Sequence, residues 1–141
     1  MEVSDVRKRL QETIARAKRG AAERRARVDE AAREYDVFLE RIAVPLVRQA
    51  ANVLRAEGYL FNVFTPSGSV RLMSDRSAED FIELALDTSG AAPQVVGRVS
   101  RSRGRRVTET ERPVGAGPVR DLTEADVLAF LADAIEPFVE R

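Results

Sequence analysis

The fold is decided between residues 53 and 64, where the sequence reads VLRAEGYLFNVF. Before Gly58, apolar residues recur every three or four positions, as they do on one face of a helix. Gly58 suits the left-handed cap that ends many helices. From Tyr59 onward the spacing changes to the alternation that is typical of strands. A helix that ends here and a sheet that starts here predict an α+β fold.

On the N-terminal side of this stretch, the chain is rich in Ala, Arg and Glu and has no proline before Pro45. This composition predicts a long helix, with a kink at Pro45 because proline lacks a backbone N–H. At about 1.5 Å per residue, residues 4–43 would span roughly 60 Å, whereas a compact chain of this size is only about 37 Å across. The helix must therefore fold back near Gly20 or protrude from the domain.

A seam of apolar residues runs along this helix at alternating steps of four and three, as in a coiled coil or an antiparallel helix pair. Arg24 is its one polar member. We predict that the seam binds a second copy of the chain or another protein; the alternative is that it packs on its own domain. The predicted interaction residues are Leu10, Ile14, Ala17, Ala21, Val28, Ala31 and Tyr35.

On the C-terminal side, alternating segments and turn residues predict an antiparallel sheet of about five strands. The strands are predicted at residues 59–64, 69–73, 81–87, 94–100 and 106–112. The third strand should have one wet face that carries Glu83 and Asp87, and the polar last strand should form an edge of the sheet.

A second helix should follow, with Thr123 as its N-cap and an apolar stripe that covers one sheet face. The stripe is predicted to consist of Val127, Phe130, Leu131, Ala134, Ile135 and Phe138. We thus predict a single domain over residues 1–141, with residues 1–44 as an extended helix and residues 45–141 as a helix–sheet–helix core.

The last predicted hairpin suggests an alternative function. Its arginines, which surround Gly104, predict an anion or nucleic-acid site because arginine forks bind phosphate; the other interpretation is a solvated turn. With Arg103-Gly104 as the turn, Arg98 would face Glu109 and Arg101 would face Arg106. The candidate residues are Arg98, Arg101, Arg103, Arg105 and Arg106.

Composition argues against most catalytic sites. The chain has no cysteine and no histidine, which excludes disulfides, thiol nucleophiles and imidazole bases or ligands. A magnesium-dependent hydrolase built on the acidic residues between Asp75 and Asp87 is disfavoured, because both lysines lie far away in the sequence. We therefore expect no enzymatic activity, no cofactor and no small-molecule substrate.

The remaining expectations concern location and role. The apolar runs are too short to span a membrane and the start of the chain lacks the apolar core of a signal peptide, so we expect a cytoplasmic protein without a membrane partner. The leading hypothesis is an adaptor, chaperone-like protein or assembly factor that self-associates through the N-terminal helix. Binding of nucleic acid by the arginine-rich hairpin is the alternative.

Overall fold

A computed structural model describes residues 1–140 of the chain. It confirms the predicted α+β fold, with a long N-terminal helix, a five-stranded antiparallel sheet and a C-terminal helix. The elements are α1 (Val3–Phe38), a π-helical stretch (Leu39–Ala43), α2 (Val44–Ala56), β1 (Phe61–Phe64), β2 (Ser69–Ser74), β3 (Phe81–Asp87), β4 (Gln94–Arg103), β5 (Arg106–Pro113), a 3₁₀ turn (Val119–Asp121) and α3 (Glu124–Val139).

α1, the π-helical stretch and α2 follow one another without a break. α1 runs straight through Gly20, so the helix does not fold back there. The predicted interruption at Pro45 takes the form of the π-helical stretch, where the N–H of Val44 donates to the carbonyl of Leu39, five residues earlier. In residues 1–140, no helix is both long and apolar enough to be a membrane span.

The strands form a meander in the order β1-β2-β3-β4-β5, so that each strand pairs with its neighbour in the chain. The core lies between the sheet and the helices α2 and α3. The central strands contribute three almost completely buried side chains to it, Leu72, Ile82 and Leu84. α2 and α3 also contact each other above the sheet. We call the face beneath the helices the inner face and the opposite face the outer face.

α3 forms as the sequence predicts. Thr123 caps it through a reciprocal pair of hydrogen bonds with Asp126, and all of the predicted stripe is buried except Ile135, which is half-buried. Phe130 of this stripe lies directly over Gly97 in β4, where a Cβ atom would be 2.2 Å from the Phe130 ring. The missing side chain at position 97 therefore lets α3 approach the sheet closely.

The β4–β5 turn differs from the prediction by one residue. Arg103 pairs with Arg106, which makes Gly104-Arg105 the two-residue turn. Gly104 has φ 61° and Arg105 does not have a positive φ, as expected for a type II′ turn with glycine at its first central position. With Gly104 first in the turn, neither Arg103 nor Arg105 needs a positive φ.

Candidate interaction surface

The first part of α1 stands clear of the domain. None of residues 3–27, which we call the arm, is buried, and the first buried residue of α1 is Ala31. At about 1.5 Å per residue, the arm is roughly 38 Å long. The protrusion expected from helix length is therefore present.

The arm carries an exposed apolar stripe. Val3, Val6, Leu10 and Ile14 are all exposed large apolar residues, and their spacing places them along one side of the helix. Ala17 continues the stripe and is also exposed. Leu10, Ile14 and Ala17, three of the residues predicted to bind a partner, are thus open to contact.

The other predicted seam residues are progressively covered by their own domain. Ala21 and Val28 are half-buried, whereas Ala31 and Tyr35 belong to the hydrophobic core. The interpretation that the seam packs on its own domain therefore holds for its later part, which enters the core at Ala31. The seam residues before Ala21 are exposed.

Tyr35 fixes the base of the arm. Its hydroxyl donates a hydrogen bond to the carbonyl oxygen of Gly68 at 2.7 Å, in the turn between β1 and β2. Burial raises the pKa of the Tyr35 phenol well above its ordinary value, and the negative charges of Glu83 and Asp36 act in the same direction. This neutral, hydrogen-bonded phenol is a structural anchor.

The charged residues of the arm are not engaged in ion pairs. Among residues 1–140, the ion pairs within 4 Å all involve residues from Glu34 onward. A spacing of four residues on a helix favours an ion pair. Two pairs of arm residues have this spacing, Glu12 with Arg16 and Glu23 with Arg27, and neither of them forms an ion pair. The arm thus presents unpaired basic and acidic groups beside its apolar stripe.

The arginine-rich hairpin does not form a single anion site, because its arginines face different directions. Arg98 faces Glu111 and not Glu109, and its Nε donates to Glu111 at 2.8 Å on the outer face. The hydrogen bond to Glu111 raises the pKa of Arg98 above its ordinary value. Arg101 faces Thr108 and not Arg106.

The side chain of Arg101 is partly covered beside α3. Its Nε atom is buried, and its guanidinium lies 6.0 Å from the ring centroid of Phe138. Only Arg103, Arg105 and Arg106 remain exposed together at the hairpin tip. Three of the five predicted anion-binding residues can therefore act together, and two cannot.

Glu83 is buried, so the prediction that it faces solvent is wrong. It lies on the outer face between Arg71 of β2 and Arg98 of β4, its direct cross-strand neighbours. Arg71 contacts one carboxylate oxygen through Nε at 2.9 Å and Nη2 at 2.8 Å, and Arg98 approaches the other at 3.5 Å. Glu111 extends this line of alternating charges to β5.

The remaining acidic residues do not converge on a metal site. Asp80 accepts hydrogen bonds from the backbone and hydroxyl of Ser102 at 2.6 and 2.9 Å. Asp87 binds the amide and hydroxyl of Ser89, and these hydrogen bonds lower the pKa of the Asp87 carboxyl. Within residues 1–140, no group of three or more Asp, Glu, His or Cys side chains is placed to hold a metal ion.

Comparison with known proteins finds no matching family model, no matching curated protein and no matching solved structure.

Proposed function

We propose that this chain is a non-enzymatic protein-interaction module that self-associates through the arm, in the manner of an adaptor, chaperone-like protein or assembly factor. The observation that supports the proposal most directly is the exposed stripe of Val3, Leu10, Ile14 and Ala17 on a helix that leaves its domain. Most helical stability in proteins comes from packing of an apolar face, so packing of this stripe against a partner would stabilise the arm.

A second copy is the partner that the seam fits best. The seam has large side chains at Leu10 and Ile14 and small ones at Ala17 and Ala21, so one copy offers the other both protrusions and gaps. Alternation of large and small residues across an interface gives close packing. The arm supplies this surface without disturbing the core, which is complete without it.

The nucleic-acid alternative rests on Arg103, Arg105 and Arg106, the exposed arginines at the hairpin tip. Three phosphate contacts would give weak binding with strong salt dependence. This interpretation has less support because Arg98 is engaged with Glu111 and Glu83.

The test is the solution mass by light scattering after gel filtration, at low and high salt, for the unaltered chain and for Leu10→Glu. We expect a dimer that persists in high salt, because apolar burial is not screened. A buried leucine contributes about 1.5–3 kcal/mol, and each dimer contains two copies of Leu10. Leu10→Glu should therefore raise the dissociation constant at least about a hundredfold.

Leu128→Glu is the matched control. Leu128 lies on α3 and is 58% exposed, against 57% for Leu10, so both substitutions place a charge at an equally open leucine. The control should remain a dimer. A monomeric unaltered chain, or equal loss of association in both variants, would contradict the proposal; a monomer that carries nucleic acid until high salt removes it would support the arginine hairpin instead.

A further inference from the structure

β5 forms one edge of the sheet, and all eight of its residues are exposed. In the part of the chain that the structure describes, no strand lies beyond it. The opposite edge strand, β1, has only four residues. A long, uncovered edge strand presents unpaired N–H and C=O groups, with which another extended segment can pair. β5 therefore offers a partner a row of backbone hydrogen bonds.

The pairing with β4 shows which backbone groups of β5 are unpaired. Just beyond the strand, the N–H of Val114 donates to the carbonyl oxygen of Val95 in β4 at 2.9 Å. Backbone groups of successive residues point to alternate sides of an antiparallel strand, so the even-numbered residues of β5 bond to β4, as Val114 does. The N–H and C=O groups of Val107, Glu109 and Glu111 therefore point away from the sheet.

A groove of about 370 Å³ separates β5 from α3 on the inner face of the sheet. Thr108 and Thr110 of β5 line one side of it, Ala134 and Pro137 of α3 line the other, and Arg101 of β4 lies between them. The side chains of a strand that pairs with β5 would alternate between the two faces of the sheet. Every second side chain of such a strand would therefore lie beside Thr108 or Thr110, next to the groove.

Arg101 carries the unpaired charge of this groove. Its Nε atom is buried without a hydrogen-bond partner, and among residues 1–140 its side chain forms no ion pair. Both carboxylates that line the groove are engaged, Asp133 with Arg112 at 3.2 Å and Glu111 with Arg98 at 2.8 Å. A buried N–H donor without an acceptor destabilises the protein, so a carboxylate that enters the groove gains a charge-assisted hydrogen bond.

The outer face of β5 has the opposite charge. Glu109 and Glu111 are exposed there. Side chains that stand directly opposite each other on paired strands interact, so an added strand with basic residues at these positions would be stabilised. Two copies of β5 do not meet this requirement, because their longest antiparallel overlaps place Glu109 opposite Glu109 or Glu111 of the second copy. The edge therefore favours a partner of different sequence.

We propose that β5 binds an extended segment of another protein as a sixth, antiparallel strand. The segment carries a carboxylate on the inner face beside Thr108, the direct neighbour of Arg101, and basic side chains on the outer face opposite Glu109 and Glu111. Acidic and basic residues at adjacent positions give this pattern, because adjacent side chains of a strand point to opposite faces. The inference does not depend on self-association through the arm.

The probe is a synthetic peptide with capped ends, Thr-Lys-Val-Lys-Glu-Lys-Thr, and its binding to the full chain is measured by isothermal titration calorimetry. Paired antiparallel with residues 106–112, it places its glutamate opposite Thr108. Its lysines then lie opposite Val107, Glu109 and Glu111. The control peptide, Thr-Glu-Val-Lys-Lys-Lys-Thr, has the same composition but carries its glutamate on the outer face. We expect one copy of the first peptide per chain and at least about tenfold weaker binding of the control.

Two changes test the two parts of the site separately. Arg101→Gln should weaken binding of the first peptide at least about tenfold, because the charge-assisted hydrogen bond is lost. Methylation of the backbone nitrogen of the peptide's central lysine should abolish binding, because this N–H donates to Glu109 of β5. Methylation of the backbone nitrogen of its glutamate should leave most of the affinity, because that N–H points away from β5. Both methylations alter the peptide and leave the fold of the chain untouched.

The outcomes are distinct for each part. No binding of the first peptide, or equal affinity for the two peptides, would overturn the proposal. Equal effects of the two methylations would overturn the added strand. Unchanged affinity in a folded Arg101→Gln variant would overturn the carboxylate site in the groove. A monomeric unaltered chain that binds the first peptide would support this inference, although it would contradict the proposed self-association.

Discussion

Replacement of Glu83 by glutamine removes the negative charge between Arg71 and Arg98 on the outer face of the sheet. Glutamine has the same size and can still accept a hydrogen bond, so packing changes little. The substitution therefore measures what the carboxylate contributes to a row of charges that no sequence pattern revealed. Glu111→Gln is the matched control, because the same chemistry occurs at the exposed end of the same row.

The expected cost follows from burial. The side chain of Glu83 is 7% exposed, whereas that of Glu111 is 45% exposed. Removing one member of a fully buried ion pair costs about 3–5 kcal/mol, and an exposed pair contributes about 0–1 kcal/mol. Arg71 and Arg98 are 30% and 37% exposed, so water stabilises them in part after the change. We expect a loss of about 2–3 kcal/mol for Glu83→Gln and under about 1 kcal/mol for Glu111→Gln.

The assay is urea unfolding of both variants in the Leu10→Glu background, so that association does not add to the measured stability. With a slope of about 2 kcal/mol per molar urea, Glu83→Gln should lower the unfolding midpoint by about 1 M. Equal midpoints for Glu83→Gln and Glu111→Gln would refute the reasoning, because Glu83 is the more buried of the two and contacts two arginines, whereas Glu111 contacts one.

Three further predictions concern single contacts. Gly97→Ala should cost at least about 2 kcal/mol in urea unfolding, because the new Cβ would lie 2.2 Å from the Phe130 ring; a loss below about 0.5 kcal/mol would contradict this close packing. Tyr35→Phe should cost about 1 kcal/mol through loss of the bond to the Gly68 carbonyl. The raised pKa means that the folded state keeps the Tyr35 proton at a pH where the unfolded state releases it. The free energy of unfolding should therefore fall as the pH rises above about 10. In alkaline unfolding curves, Tyr35→Phe should show a smaller fall of this free energy. Thr123→Ala should lower stability by about 1 kcal/mol in thermal unfolding, whereas Thr123→Ser should be nearly neutral.

Local patterns in the sequence predict most of the elements. The strands lie close to where alternation and turn residues place them, and the capping pair of Thr123 and Asp126 marks the start of α3. The exposure of the arm follows from helix length alone, since no compact domain of this size can cover so long a helix. These features depend on neighbouring residues, which is why the sequence reveals them.

Features that depend on register are harder to predict. Glu83 looks like a solvent-facing residue of an amphipathic strand until β2 and β4 are aligned with it, because only then do Arg71 and Arg98 become its neighbours. The β4–β5 register depends on whether Gly104 is the first or the second residue of its turn. The composition of the hairpin does not distinguish these two positions. The cleft between α1 and the β3–β4 loop, which Val28 and Thr88 both line, joins residues about sixty positions apart and has no local signal in the sequence.

The π-helical stretch Leu39–Ala43 has a consequence for the direction in which the arm presents its seam. Each residue of an α-helix turns by about 100°, so Phe38 and Val47, about nine residues apart, would otherwise point to opposite sides of the axis. Both are buried in the same core. The π-helical stretch turns less per residue and takes up one surplus residue, which brings the two apolar faces toward the same side. The rotational phase of the seam about the helix axis is therefore set where the arm's helix joins the core, and not within the arm.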